Sequence, residues 1–143
     1  MRGRLRVGAL GAVVFELRGL PMRRCLVADD ASVIRKVARH IIEGQRYEVS
    51  EAENGQQALQ LCREQIPDVI LLDWHMPSMS PFEFLAAFRN LPDAKRTTVI
   101  YCTTEHDPVD ISRALAAGAD DYLLKPFDRA SLEAKLTDIA APV

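Results

Sequence analysis

Polar residues follow four short apolar runs in this sequence. Asp29 and Asp30 follow residues 25–28, Asp73 follows 69–72, Thr103 and Thr104 follow 98–102, and Lys125 follows 121–124. Three carboxylates, a hydroxyl and an ammonium form a set with specific chemistry if they meet. Like charges held close repel and push pKa values up unless a cation intervenes. Mg²⁺ accepts oxygen ligands while keeping several waters, so it suits such a cluster. A lysine adds a compact positive charge suited to a phosphoryl oxygen. A carboxylate in that setting can attack phosphorus and carry an aspartyl-phosphate. Taken singly, each of these residues is an ordinary turn former at a strand end. Five at once are not accounted for that way.

The elements that must position them are legible from periodicity. Residues 25–28 and 69–72 are continuous apolar runs of the kind that form buried parallel strands. Residues 47–52 alternate as a strand, and 98–102 and 121–124 supply two more. Between them lie helical patterns. Val33, Ile34, Val37, Ile41 and Ile42 mark the first apolar face, with Arg35, Lys36, Arg39 and Glu43 opposite. Asn54-Gly55 opens a second helix carrying Ala58, Leu59, Leu61 and Cys62. Phe84, Leu85, Phe88 and Leu91 mark a third. Asp107-Pro108 caps a fourth that stops at Gly118, and Asp128 caps a fifth through Leu132, Leu136 and Ile139. Five strand-helix pairs predict an α/β fold: a five-stranded parallel sheet with helices on both faces. Ligands in such folds bind beyond the carboxyl ends of the strands, where the polar residues gather.

Asp29-Asp30, Asp73 with Met76-Pro77, Thr103, and Lys125-Pro126-Phe127 resemble the signature of response-regulator receiver domains of two-component signalling, over roughly residues 23–140. The resemblance implies the flavodoxin-like (βα)5 receiver fold and a phosphoacceptor signalling protein of the single-domain, chemotaxis-regulator type, not a classical enzyme. It implies Asp73 as phosphoacceptor and Mg²⁺ as cofactor. The metal ligands it implies are Asp30, Asp73 and the backbone carbonyl of His75, with Asp29 acting mainly through water. Thr103 and Lys125 are implied to hold the phosphoryl oxygens, and Thr103 and Tyr122 to form the switch. A cis peptide is implied at Lys125-Pro126. The implied donor is a phosphohistidine on a histidine kinase or phosphotransfer protein, and a downstream protein is the expected target.

Two features depart from the commonest family pattern. Residues 76–83 lack the usual acidic or amide residue followed by glycine, yet Ser80, Pro81 and Glu83 make a good helix start with a capping box. His75 and Thr104 flank the acceptor region and are candidate tuning residues. Three rival readings remain. One is a receiver-like binding module that works without phosphorylation. Another is a phosphohydrolase with an aspartyl nucleophile, which usually has a second Asp where this chain has His75 and needs a lid. The third is a nucleotide-binding module, which lacks a glycine-rich phosphate loop here.

Composition narrows the partners. Hydrophobic residues at 48% and charged residues at 27% are enough for a packed core. Residues 1–21 carry four arginines against Glu16, leaving 14 basic and 19 acidic side chains for the remainder. An acidic domain with no basic stripe argues against nucleic acid, and no run is long enough for membrane insertion. The expectation is a cytoplasmic monomer or weak dimer. Cys25, Cys62 and Cys102 read as reduced core residues without metal spacing. Residues 1–21 read as a disordered leader or a mis-assigned start, with residues 22–143 as the receiver domain. The chain stops about where the last helix does, so signal output is expected through the domain's own surface, the fourth helix, fifth strand and fifth helix.

Overall fold

A computed structural model describes residues 4–7, 13–16, 22–104 and 107–140. Its main sheet is built from the apolar runs. Strand β3 (Arg23–Ala28) is followed by α1 (Ser32–Glu43), β4 (Tyr47–Ala52), α2 (Gly55–Glu64) and β5 (Val69–Asp73). Then come α3 (Pro81–Arg89), β6 (Thr98–Thr103), α4 (Pro108–Ala117), β7 (Asp121–Leu124) and α5 (Arg129–Ala140). These five strands are all parallel, in the order β4-β3-β5-β6-β7. That is 2-1-3-4-5 in order of appearance, the flavodoxin-like receiver arrangement.

Side-chain alternation splits the core into two layers. Leu26, Ala28, Ile70, Leu72, Val99 and Tyr101 pack with Ala58, Phe84, Phe88 and Ala114 on the α2–α4 side. Cys25, Val27, Val69, Leu71, Ile100, Cys102 and Leu123 pack with Ala38, Ile42, Leu132 and Leu136 on the α1–α5 side. The β5 strand is buried along its whole length, as its unbroken apolar run requires. All three cysteines are buried and free, and burial pushes the Cys25 and Cys62 thiols up to about 12.

Caps fix where helices begin. Asn54 accepts from the Gln57 amide at 2.8 Å, Asp107 from Val109 at 2.9 Å, and Asp128 from Ser131 at 2.8 Å. The Ser80 hydroxyl accepts from the Glu83 amide at 3.1 Å, with Pro81 at the first helical position. The loop before it presses on α2: a Cβ at Gly55 would lie 2.7 Å from Met79 Sδ.

One sequence expectation is corrected. Val33 and Val37 are 69% and 47% exposed. The buried stripe of α1 runs through Ala38, Ile41 and Ile42, with Ile34 half-buried on the same line. Val33 and Val37 each sit one position, about 100° of helix rotation, off that stripe. Of residues 1–21, read as a disordered leader or a mis-assigned start, positions 4–7 and 13–16 lie among the described residues. Strands β1 (Arg4–Val7) and β2 (Val13–Glu16) pair antiparallel there, in a sheet separate from the main one.

Candidate functional site

Register brings the candidate residues to one sheet edge. Ala28 pairs with Leu72, so Asp29 and Asp73 are level across β3 and β5. Asp73 pairs with Cys102, and Thr103 with Leu124, which sets Lys125 just beyond. Asp29, Asp73 and Lys125 share the parity of Val27, Leu71 and Leu123 and so rise on the α1–α5 side. Thr103 shares the parity of Tyr101 and belongs to the other side.

Lys125 Nζ donates to Asp29 Oδ2 at 2.7 Å and to Asp73 Oδ1 at 2.9 Å. Both carboxylates are buried, at 4% and 3% exposure. Asp29 Oδ1 also accepts from the Ala31 amide at 2.9 Å, so both of its oxygens are engaged. Asp30 is exposed beside them, and ligand atoms of Asp29, Asp30 and Asp73 all lie within 4.8 Å of one another. Burial pushes the Asp73 carboxyl above its ordinary range; the Lys125 hydrogen bond opposes this, and the charges of Asp29 and Asp30 add to the rise. Burial would lower the Lys125 ammonium, but its bonds to Asp29 and Asp73 outweigh that and hold it above its ordinary value. Three carboxylates against one ammonium leave two negative charges, which a divalent oxygen-seeking cation matches in charge and donor type.

The other candidates scatter around this core. The Lys125–Pro126 peptide is cis, as the resemblance implied. His75 is exposed, with Nδ1 3.8 Å from Asp30 Oδ2 and its ring 5.4 Å from Trp74. Thr104 is exposed. Thr103 is fully buried, and its hydroxyl donates to Asp110 Oδ2 at 3.4 Å. Tyr122 is 38% exposed, with Lys135 Nζ 5.3 Å from its ring centroid. Arg113 lies over the Phe82 ring at 4.8 Å.

Sequence reading missed two groups. Arg35, taken for a solvent-face charge, donates to the Asp29 carbonyl at 2.7 Å and to Glu51 Oε1 at 3.1 Å, while Arg39 donates to Glu51 Oε2 at 2.6 Å. This fork braces the backbone of the acidic pair. Asp110, in the first turn of α4, accepts from both Thr103 and Tyr101. Neither contact has a sequence signal, because each joins elements whose docking periodicity does not specify.

A doubly wound parallel sheet with an acidic pocket and a lysine at its carboxyl edge defines a phosphoacceptor class of signalling domain rather than a classical enzyme. Residues 25–137 match the response regulator receiver domain family, and the chain belongs to it. It is similar to the phosphate regulon transcriptional regulatory protein PhoB of Rhizobium meliloti, 32% identical over 110 residues, which are 77% of this chain and 48% of that protein. The chain thus spans about half the length of the first curated relatives it matches. Among solved structures it is similar to chemotaxis response regulator CheY4 of Vibrio cholerae (34% identity, TM-score 0.79, covering 83% of this chain and 99% of that one). It is also similar to the receiver domain of sensor histidine kinase PA1611 from Pseudomonas aeruginosa PAO1 (28% identity, TM-score 0.76, covering 85% and 100%), a structure with magnesium coordinated in its active-site cleft. Receiver domains take their phosphoryl group from histidine kinases. Among the described residues no helix is long and apolar enough to cross a membrane.

Proposed function

We propose that Asp73 accepts a phosphoryl group from a phosphohistidine on a histidine kinase or phosphotransfer protein, and that the domain signals through protein contact. The observation that carries this reading is the Lys125 bridge between Asp29 and Asp73 inside a three-carboxylate cluster. Asp73 supplies the nucleophilic oxygen. It bonds to phosphorus as the phosphorus–nitrogen bond breaks, and the donor imidazole leaves with that electron pair. Lys125, already 2.9 Å from Asp73, neutralises phosphoryl oxygens, and Thr103 donates to another. Asp30, Asp73 and the His75 carbonyl would hold Mg²⁺, with Asp29 acting through water. Bound there, the ion supplies charge neutralisation to the phosphoryl oxygens and Asp73. Water later attacks phosphorus, releasing phosphate and restoring the carboxylate. His75 and Thr104 border this route and tune its rate.

The output surface is α4, β7 and α5. Tyr122, exposed on β7, is the aromatic that follows Thr103. Arg113 lies on the same side, whereas Arg129 pairs with Glu133 at 3.6 Å near the end of α1 and faces elsewhere. The buried free cysteines and acidic balance support a reducing, cytoplasmic setting and a protein target. Incubation with acetyl phosphate and Mg²⁺ tests the reading by intact mass. The expected result is one added phosphoryl group, lost in Asp73→Asn and absent with a chelator. Equal labelling of Asp73→Asn removes the assignment.

A further inference from the structure

We propose that Asp110 is a positioning residue of the switch: its carboxylate holds the Thr103 hydroxyl under α4, in competition with a phosphoryl oxygen on Asp73. The proposal rests on the phosphoacceptor reading and names a regulatory residue that reading does not contain.

The geometry is a carboxylate in the first turn of α4 that receives two hydroxyls from one face of β6. Tyr101 Oη lies 3.1 Å from Asp110 Oδ2 and 3.3 Å from Oδ1, and Thr103 Oγ1 lies 3.4 Å from Oδ2. Tyr101 and Thr103 are two apart on the strand, so their side chains share the α2–α4 side. Asp73 has the opposite parity. A threonine hydroxyl carries one proton. Donated to Asp110, that proton is not available to an oxygen on Asp73. Phosphorylation must therefore draw Thr103 away from α4 and over the strand end.

Tyr101 makes this a switch rather than a broken contact. It is 1% exposed, and its hydroxyl is raised first by burial and then by the Asp110 charge, so it stays a donor. When Thr103 leaves, the half-buried Asp110 carboxylate keeps the Tyr101 bonds. Tyr101 also lies tilted beside Phe82, with ring centroids 6.3 Å apart, and Phe82 carries Arg113 of α4. Release of Thr103 is thus felt on a framework that joins α3, β6 and α4.

The competition gives opposite signs to two conservative changes. Asp110→Asn keeps an acceptor for Tyr101 but removes the charge that retains Thr103. Tyr101→Phe keeps the ring but removes the hydroxyl that shares Asp110 with Thr103, which strengthens the hold. Trp74, the single tryptophan, adjoins Asp73 and reports on the site. The full chain at saturating Mg²⁺ is titrated with beryllofluoride, read by Trp74 fluorescence, with melting curves taken in parallel. Asp110→Asn is expected to bind beryllofluoride about tenfold tighter, the scale of one charge-assisted hydrogen bond. Tyr101→Phe is expected to bind about threefold weaker, and this effect should vanish in the Asp110→Asn background. Mg²⁺ affinity without beryllofluoride should stay the same in all three. Unchanged or weaker beryllofluoride binding by Asp110→Asn overturns the proposal, as does a parallel change in Mg²⁺ affinity. If Asp110→Asn does not fold, tighter binding by Tyr101→Phe alone overturns it. No response in the wild type removes the phosphoacceptor reading itself, and the latch with it.

Discussion

Two edges of one sheet carry half-buried cations, and they are organised in opposite ways. At the amino-terminal edge Arg89 donates to the carbonyls of Ala94 at 2.7 Å, Thr97 at 2.9 Å and Gly118 at 2.6 Å, and pairs with Asp120 at 2.9 Å. Asp120 in turn accepts from the Val99 amide, and Asp68 accepts from the Arg24 amide at 2.7 Å. Each acid there is answered by a backbone donor or by the arginine. At the carboxyl edge, among the described residues, Lys125 is the one lysine or arginine side chain bonded to the carboxylate cluster: it meets Asp29 and Asp73, with Asp30 beside them. The first edge closes its charges within the chain. The second leaves two negative charges uncompensated, and that shortfall is what a metal ion and a phosphoryl donor can use.

The difference predicts opposite responses to losing a charge. Arg89→Ala removes the arginine donors from three carbonyls and Asp120, beneath an α4–β7 connection where Gly118 has φ of 126° and a Cβ would lie 3.3 Å from Arg89 Cγ. The expected loss is about 3 kcal/mol, the scale of unmaking several buried hydrogen bonds at once. Melting temperature should fall by roughly 10 °C. A fall no larger than that of an exposed arginine would break the comparison.

Asp73→Asn should do the reverse and stabilise the protein without metal, by about 1 kcal/mol. The net direction of the Asp73 shift decides the sign. Burial, Asp29 and Asp30 together outweigh Lys125, so the folded state prefers a neutral side chain there. Thermal melts in chelator should show the gain. Saturating Mg²⁺ should narrow or reverse it, because the wild type then recovers a ligand that the amide supplies poorly. A variant less stable than the wild type in chelator would contradict the charge imbalance.

Much of this site was legible before the fold was seen, and the reason is topological. In a parallel sheet every strand ends at the same edge, so residues that follow apolar runs must meet. Asp29, Asp73 and Lys125 needed only that rule. Which layer each side chain enters needed the register, and only the register separates Thr103 from Asp73. The Arg35–Glu51–Arg39 fork and the Arg89 clasp join residues far apart in sequence through helix placement, on which hydrophobic periodicity is silent. The exposed Val33 and Val37 misled for a related reason: valines near an apolar stripe widen its outline without being part of it.

pH sharpens the comparison further. The Asp73 folded pKa lies above its unfolded value of about 3.9. The folded state therefore holds the extra proton in that window, and stability is lost as pH rises through the folded pKa. Glu51 runs the other way. Burial alone would raise it, but Arg39 and Arg35 prevail and lower it, so its contribution is present above about 4.3 and lost as pH falls through the folded pKa. Comparing Asp73→Asn with the wild type cancels Glu51. The stability gap should be small near about pH 4 and widest near about pH 7. A gap that shrinks with rising pH would reverse the sign assigned to Asp73.

The smallest expected effect concerns residues 1–21. Strands β1 and β2 hydrogen-bond to each other, with Arg4 opposite Glu16 and Val7 opposite Val13. The next strand in sequence, β3, has no free edge, since β4 and β5 occupy both of its sides. The hairpin therefore cannot extend the main sheet at the strand it precedes. Among the described residues, Lys125 and Arg89 find the partners named above within residues 29–120. A chain beginning at Met22 is expected to melt within about 0.5 kcal/mol of the full chain, the range of surface changes that touch no core feature. It should take up phosphate from acetyl phosphate at the same rate. A large drop in melting temperature would show that the hairpin packs on the receiver domain. A changed phosphorylation rate at equal stability would instead give residues 1–21 a place beside the Asp73 edge.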